Sequence, residues 1–362
     1  MKLRVGIAGY GIVGKRRRQF IDRHPNLQTV AVCDKTFKGQ GKLDDGVQYF
    51  RHYYELLEVP LDILFVCMPN YLAAEVTISG LQKGLHVFCE KPPGRSVEDI
   101  NRVIEEEKKH PKLKLKYGFN HRYHESVKQA LKIIESGNLG KIVNMRGVYG
   151  KGKIISFSSD WRTRRKYSGG GILLDQGIHM VDLMQLFCGE FVDVKSFVSN
   201  DYWKHDVEDN AYALLRDKKG RVAMLHSTAT QWQHKFSLEI ALTEGSLRLQ
   251  GILSGTKSYG QEQLIICRRS EDDTGAQSEE VINYLVDNSW EDEINEFASA
   301  VINKSSISTG TSKDALMTMK LVYRIYCADP AWKEKFGISD PDKPNEQKLP
   351  ADVISEIKVR KK

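Results

Sequence analysis

The segment Val5–Gly14 (VGIAGYGIVG) constrains this chain more than any other. A β-rich apolar run leads straight into Gly9-Tyr10-Gly11-Ile12-Val13-Gly14, and a helix-compatible stretch follows. Each glycine has its own physical reason. Gly9 permits a tight turn, Gly11 lets the backbone approach a pyrophosphate, and Gly14 allows close packing of helix on strand. The amides that open the helix then face the phosphates. Asp34, 20 residues after Gly14 at the end of the second β-rich run, is placed to accept hydrogen bonds from a ribose 2′-hydroxyl. Its charge repels a 2′-phosphate, which favours NAD. Lys35 beside it leaves NADP as the less favoured alternative. The expected cofactor contacts on these loops are Gly9, Tyr10, Gly11, Ile12, Val13, Asp34 and Lys35.

The alternation continues through residue 120. Short β-rich runs at Leu3–Ala8, Thr29–Cys33, Ile63–Met68, His86–Cys89 and Lys114–Phe119 enclose helical patterns such as Ala73–Lys83 and Ser96–His110. Strands alternating with helices imply α/β architecture with a parallel, doubly wound sheet. Its unusual residues sit where strands end: Met68-Pro69-Asn70, Glu90-Lys91-Pro92-Pro93 and Asn120. Ligands of open α/β sheets bind outside the carboxyl ends of the strands, so these groups are expected to converge on one crevice. The alternative for Glu90 and Lys91 is a solvated turn, but Pro92 and Pro93 rigidify it and make the position read as held on purpose.

At 362 residues and 28% charged, the chain has the size of two domains and the balance of a soluble globular protein. Domain one is expected over 1–120 and domain two over 121–335, with an extended tail over 336–362. Domain two should open with a helix over Ser126–Ser136 and hold a large, mostly antiparallel sheet open on one face. Its strands are expected near Lys141, Ala211–Leu215, Val222–Ser227, Phe236–Leu242 and Gln263–Cys267. Trp290–Ile302 and Ser312–Tyr326 read as closing helices. A net charge of +7 suits anionic small molecules and is too diffuse to argue for nucleic acid. The basic run Lys15–Arg18 reads as one face of the helix after the glycine loop. Six cysteines without a CxxC pair read as reduced core residues of a cytoplasmic protein. No apolar stretch approaches the ~20 residues that span a bilayer, and the glycine-rich N-terminus lacks a cleavage site. Neither a membrane nor secretion is expected.

The second chemical constellation is Ser168-Gly169-Gly170-Gly171-Ile172-Leu173-Leu174-Asp175-Gln176-Gly177-Ile178-His179-Met180-Val181-Asp182. On a helix, Asp175 and His179 share a face and Asp182 lies one turn beyond His179. The glycines would let a ligand approach the helix start closely. His179 has three readings: a satisfied core histidine, a metal ligand with Asp175, or an acid–base group. No second His/Cys cluster completes a metal set, so no metal is expected. An imidazole titrates near neutrality and a neighbouring carboxylate raises its basicity, which favours acid–base chemistry beside a nicotinamide site.

The ordered set GYGIVG, CMPN, GLHVFCEKP (Gly84–Pro92), YGFNHRY and SGGGILLDQGIHMVDL resembles the Gfo/Idh/MocA oxidoreductases over about residues 1–330. The resemblance implies an N-terminal Rossmann domain and a C-terminal α/β domain whose sheet serves dimer or tetramer contacts. It implies that Lys91, Asp175 and His179 match catalytic positions. It also implies that Trp161-Arg162 matches a pair near cofactor or substrate. Two departures stand out: Ala73 where a histidine is usual, and His121 where many members carry arginine. The basic run Trp161–Lys166 reads either as a solvated loop or as recognition of a charged substrate.

The expected activity is NAD(P)-dependent oxidation of a secondary ring alcohol on a sugar, cyclitol or sugar nucleotide. His179 would take the hydroxyl proton and Lys91 would stabilise the developing alkoxide. Asp175 would orient the substrate or complete a proton relay, and Asp182 would hold the imidazole. The rivals are an NAD-dependent glycoside hydrolase of the same family, a non-catalytic cofactor-sensing regulator, and nucleic-acid binding through Lys15–Arg18. A homodimer or homotetramer is expected.

Overall fold

The computed structural model describes residues 2–153, 161–254, 258–270 and 278–343. The first layer set follows the alternating pattern. Its strands and helices run β1 (Leu3–Ala8), α1 (Ile12–Arg23), β2 (Leu27–Cys33), β3 (Gly41–Lys42), β4 (Gln48–Phe50), α2 (Tyr53–Leu56), β5 (Ile63–Val66), α3 (Asn70–Gln82), β6 (His86–Glu90), α4 (Val97–Lys109) and β7 (Leu115–Gly118). The sheet order is β3-β4-β2-β1-β5-β6-β7, parallel except for the β3–β4 pair. β5 is buried along its whole length, because helices cover both faces of a parallel sheet. α4 begins as the sequence suggests, with Ser96 Oγ accepting from the Asp99 amide and acids in the first turn. The short β3, β4 and α2 were not expected.

Register decides what this sheet presents. Ala8 pairs with Cys33 on one side and Val66 on the other; Val66 pairs with Cys89, and Cys89 with Tyr117. The strands therefore end level, and the segments after β1, β2, β5, β6 and β7 line one edge. The order reverses at β1, the crevice position for such sheets.

A single 3₁₀ turn (Asn120–Tyr123) leads to α5 (Glu125–Ser136), β8 (Ile142–Gly150), α6 (Arg165–Ser168), a widened π turn (Leu173–Gly177) and α7 (Ile178–Cys188). Then follow β9 (Phe191–Ser199), β10 (Asn210–Asp217), β11 (Val222–Thr228), β12 (Lys235–Leu242), β13 (Gly245–Gln250), β14 (Glu262–Arg268) and β15 (Glu279–Tyr284). The second sheet runs β15-β14-β13-β12-β8-β11-β10-β9 and is antiparallel except for the β8–β11 pair. β10 alternates buried and exposed residues, so one sheet face packs on the helices and the other is open.

The closing helices are α8 (Ser289–Ile302), α9 (Ser312–Ala328) and α10 (Pro330–Phe336). α8 returns to the first sheet: Ile294, Phe297, Ala298 and Val301 share a core with Val5, Ile7, Phe65 and Phe88. Phe297 meets Phe65 and Phe88 edge-on, with centroids 5.9 and 5.5 Å apart. Of the expected tail, residues 344–362, including Pro344 and Pro350, lie outside the described residues.

Where the sequence suggests one basic helix face at Lys15–Arg18, the structure buries Arg17 completely. Its Nε donates to Glu90 Oε1 and its Nη2 to Glu293 Oε2, both at 2.6 Å. The guanidinium lies 4.5 Å from the Phe88 ring centroid and 4.3 Å from that of Trp290. A helical turn of 3.6 residues cannot expose four consecutive basic residues on one face, and Arg17 is the one that points at the sheet. Burial pushes the Glu293 carboxyl up to about 7, against the pull of Arg17 and Lys116. Arg17→Ala leaves two buried carboxylates without their cation and should cost about 3–5 kcal/mol in denaturant unfolding. Glu293 binds a proton in the folded state over a range where the unfolded chain has lost it. Its contribution is therefore present below about pH 4.5 and lost as pH rises towards 7. Glu293→Gln should flatten the stability-versus-pH curve in that window by about 1–3 kcal/mol; an unchanged curve would show that the carboxyl does not titrate there.

Candidate active site

The glycine turn divides its labour as the spacing predicts. Gly9 has φ +93°, and a Cβ there would lie 2.3 Å from the Cys67 carbonyl oxygen. A Cβ on Gly14 would lie 2.0 Å from the Gly9 oxygen. At Gly11 nothing lies within 4 Å, and Ile12 next to it is 89% exposed. The turn is packed on the protein side and open at the position where a pyrophosphate would approach, so these residues fit a dinucleotide. Val13 is half-buried in the first turn of α1. Tyr10 stacks on Phe37 and its hydroxyl accepts from Arg18 Nη1 at 2.8 Å. Arg18 also pairs with Asp22 and Asp45, which neutralises part of the basic run. Asp34 stands at the end of β2, where its Oδ1 accepts from the Thr36 amide and hydroxyl, while Lys35 is exposed.

Other residues from the level edge turn inward. Met68 and Pro69 are half-buried ahead of α3, and Asn70 Nδ2 donates to the Ser168 carbonyl at 2.7 Å, which ties α3 to the glycine-rich loop. Glu90 is held by Arg17, so the solvated-turn reading of Glu90 and Lys91 does not stand. Asn120 spends its amide on Ser289 Oγ (3.1 Å) and His121 Nδ1 (3.2 Å).

Lys91 crosses from the first sheet edge to the second constellation. Its Nζ donates to the backbone carbonyl of Asp175 at 2.6 Å. Asp175 lies in the π turn, where the wider i→i+5 spacing disturbs the ordinary helical ladder; such bulges are frequent at functional sites. The α-helix expected to carry Asp175 as well as His179 therefore starts only at Ile178. Tight backbone packing at Gly171 and Gly177 surrounds the widened turn: a Cβ on Gly171 would meet the Glu208 oxygen at 2.1 Å, and one on Gly177 would meet Ser227 Oγ at 2.4 Å. The glycines thus serve protein packing and not ligand approach, which corrects the expectation. Gly169 abuts the Arg95 carbonyl and Gly170 the Tyr326 hydroxyl in the same way. The wholly buried Glu208 carboxylate accepts from the Gly171 and Leu173 amides at 2.8 and 3.0 Å, satisfying donors at the helix start.

The Asp175 carboxylate meets Lys151 Nζ at 3.2 Å and Arg162 Nε at 3.6 Å. Burial pushes this carboxyl up, but Lys151, Lys91 and Arg162 together hold it below the usual carboxylate range. Burial lowers the Lys91 ammonium, opposed by Asp175 and Glu90. His179 is 4% exposed, and its Nδ1 has no partner among the described residues. Burial, then Lys91 and His124, push it well below 6.5, so the ring is neutral at pH 7.

Several residues here escaped the sequence. His121 stacks on His179 with centroids 3.7 Å apart and planes 14° apart. Its Nε2 meets the Tyr149 hydroxyl at 3.0 Å, and burial followed by His179 lowers its own pKa. Lys151, beyond the end of β8, and the Gln176–Tyr259 hydrogen bond complete the surroundings. Only the departure at His121 signalled any of this in advance.

Two further expectations are corrected. Asp182 does not hold the imidazole: both its oxygens are taken by Arg122, at 2.8 and 2.6 Å, with Thr318 beside them. Residues Trp161–Lys166 do not all form a solvated loop. Arg162 sits over Trp161 and reaches Asp175, and Arg165 packs against Phe336 and Trp332 while donating to the Gly169 carbonyl. Ala73 is a buried residue of α3. Among the described residues, no three His, Cys, Asp or Glu side chains form a metal-binding group, and no helix is long and apolar enough to cross a membrane.

Comparison with known proteins places this geometry. Residues 3–119 match the model of the oxidoreductase family with the NAD-binding Rossmann fold, and residues 127–248 match the GFO/IDH/MocA C-terminal domain. The chain is 32% identical to the D-glucoside 3-dehydrogenase of Escherichia coli strain K12, over 62% of this chain and 70% of that one. It is 26% identical to the myo-inositol 2-dehydrogenase of Thermotoga maritima, over 72% and 79% respectively. The solved structure of a levoglucosan dehydrogenase in complex with NADH and L-sorbose shares the fold, with a TM-score of 0.77 at 19% identity, covering 94% of this chain and 100% of that one. A nucleotide turn open at Gly11, an ammonium from the first domain on the helix of the second, and these matches lead to one conclusion: the chain belongs to the GFO/IDH/MocA family and is an NAD(P)-dependent oxidoreductase.

Proposed function

We propose that this protein oxidises a secondary ring hydroxyl of a sugar or cyclitol, reversibly, with NAD favoured over NADP. The observation that carries the reading is the 2.6 Å contact from Lys91 Nζ to the Asp175 carbonyl, which joins the first domain to the helix bearing Asp175 and His179. The turn Gly9–Val13 with Asp34 and Lys35 holds the dinucleotide, and Met68, Pro69, Asn70, Glu90, Lys91, Asn120, Trp161 and Arg162 build the rest of its crevice. When bound, the dinucleotide supplies the hydride acceptor.

Neutral His179 accepts the hydroxyl proton, and its low pKa keeps it ready to do so at neutral pH. Stacking on His121 fixes the plane of the ring. The Lys91 ammonium donates a hydrogen bond to the substrate oxygen and stabilises negative charge as it develops there. Asp175, held ionised by Lys151 and Arg162, orients a neighbouring hydroxyl.

Substrate screens with NAD and NADP against inositols, hexoses, glucosides and sugar nucleotides test the reading. Net accumulation of reduced cofactor separates it from NAD-assisted glycoside hydrolysis. His179→Asn should lower kcat by about 10²–10⁴ with little change in cofactor affinity, and Lys91→Ala should be at least as damaging; full turnover in either variant removes that residue from the mechanism. Because a depressed pKa leaves the base free, oxidation should persist as pH falls through 6.5. Asp34→Ser should narrow the preference for NAD over NADP in titrations of the two cofactors.

The oligomer we propose is a homodimer or homotetramer built on the open face of the second sheet. Phe197, Tyr212, Leu214 and Met224 stand there 80%, 50%, 53% and 42% exposed on adjacent strands, a large apolar area for an isolated subunit. Leu214→Asp should reduce the mass measured by light scattering to that of a monomer; an unaltered mass moves the interface elsewhere. The six free cysteines suit a reducing cytoplasm.

A further inference from the structure

We infer that Trp232 and Tyr202 form a stacking platform for the second pyranose ring of a glycosidic substrate, beside the ring that reacts. The inference rests on the sugar-oxidising reading above and deepens it to a substrate class.

Trp232 is 63% exposed and Tyr202 58%. Their rings lie edge to face, with centroids 5.3 Å apart and planes 63° apart, an open angle in place of a closed stack. Large aromatics clustered on a surface cost hydration free energy unless something covers them, and such patches mark binding sites. Tyr202 is also firmly anchored, as is Trp203, whose ring lies 6.4 Å from that of Trp232. The amides of Tyr202 and Trp203 both donate to the buried Asp209 carboxylate, at 3.0 and 2.9 Å. Trp203 Nε1 donates to the Ala229 carbonyl at 2.8 Å, and its ring packs with Ile172, the residue before the π turn. A surface ordered beforehand loses less conformational freedom on binding.

The patch is continuous with the candidate active site by two routes. The segment that carries Trp232 is laced to Lys151: Lys151 N donates to the Thr228 carbonyl and Gln231 N to the Lys151 carbonyl, each at 3.0 Å. The Lys151 ammonium is the one that meets Asp175 at 3.2 Å. On the other route, Gln176 donates to the Tyr259 hydroxyl, and the Tyr259 ring lies 5.2 Å from that of His234. A Cβ on Gly152 would lie 3.7 Å from His234 Nε2 and 3.8 Å from the Trp232 ring, so both side chains border the same glycine.

A pyranose suits this surface. Its hydroxyls lie around the rim and its C–H groups on the faces, so a face with partial positive charge meets the negative face of an indole or phenol. The rim hydroxyls then find polar neighbours in His234 and Lys151. A substrate ring over Asp175 and His179 would carry its glycosidic partner outward onto this platform.

The test uses the full chain saturated with NADH and isothermal titration with glucose and four glucose disaccharides: maltose, cellobiose, gentiobiose and trehalose. At least one disaccharide should bind about tenfold more tightly than glucose, the scale of one good aromatic contact. Trp232→Ala should bring that ratio to about one, and Tyr202→Ala should reduce it, while NADH affinity and thermal melting report that the variants are folded. Disaccharides that bind no better than glucose, or a ratio that survives Trp232→Ala, overturn the platform. So does a Trp232→Ala chain whose mass falls while the ratio holds, since the patch then belongs to a contact with a second copy. A wild-type chain that reduces neither NAD nor NADP with any sugar or cyclitol strikes the sugar-oxidising reading itself, an outcome separable from every other.

Discussion

A guanidinium with no exposed surface ties together parts of this protein that are far apart in sequence. Arg17 in the helix after the nucleotide turn grips Glu90 at the end of β6 and Glu293 in α8. Glu90 immediately precedes Lys91, so the clamp fixes the backbone from which the ammonium reaches the second domain. Burial is the main reason that the Glu293 carboxyl is pushed up to about 7; Arg17 and Lys116 oppose the shift and the neighbouring Glu90 charge adds to it. Lys116, also without exposed surface, lies close by and donates to Tyr123 and the Thr309 carbonyl. The junction of the two domains is therefore charged and hydrogen-bonded beside an aromatic core, and removing one partner strands the others.

The same logic sets the character of the candidate active site. Three cations, Lys91, Lys151 and Arg162, act on one carboxylate, Asp175, and keep it ionised. In that field a buried imidazole stays neutral, and a second imidazole stacked 3.7 Å away adds no charge because it too is held neutral. Neutral His179 beside charged Lys91 is the arrangement that proton removal from an alcohol needs: a base free to accept and a cation to steady the oxygen. Asp182, the carboxylate that sequence spacing offers to the imidazole, is instead committed to Arg122 and serves the packing of α7 against α9. The aromatic rim at Tyr202 and Trp232 stands at the end of the second sheet where these groups gather, so chemistry and recognition share one edge.

How much of this was legible depends on whether the signal is local. Glycine spacing, the strand before it and the acid after β2 are local, and the structure reproduces the tight turn at Gly9, the open face at Gly11 and the close packing at Gly14. Hydrophobic period is local too, and it gave the parallel character of the first sheet and the antiparallel character of the second, although β3, β4, β9, β13 and β15 are not among the runs it names. The glycines before Asp175 were misread because a glycine in sequence does not say whether protein or ligand fills the space its side chain vacates. There it is the Arg95 and Glu208 carbonyls and the Tyr326 hydroxyl. The basic run Lys15–Arg18 was misread for a related reason: burial of one arginine among its four basic residues depends on carboxylates 73 and 276 residues away.

By itself, then, the order of amino acids determined the layer architecture, the nucleotide turn and the identities of Lys91, Asp175 and His179 as chemically capable groups, because period, turn chemistry and side-chain type act over a few residues. Only the tertiary structure decided which groups meet. The level strand ends bring Lys91 to the Asp175 carbonyl, the π turn sets the spacing of Asp175 and His179, and the short 3₁₀ turn lays His121 on His179. Those contacts arise from register and packing across the whole chain, and pairwise distances of that kind are not written in any local stretch of sequence.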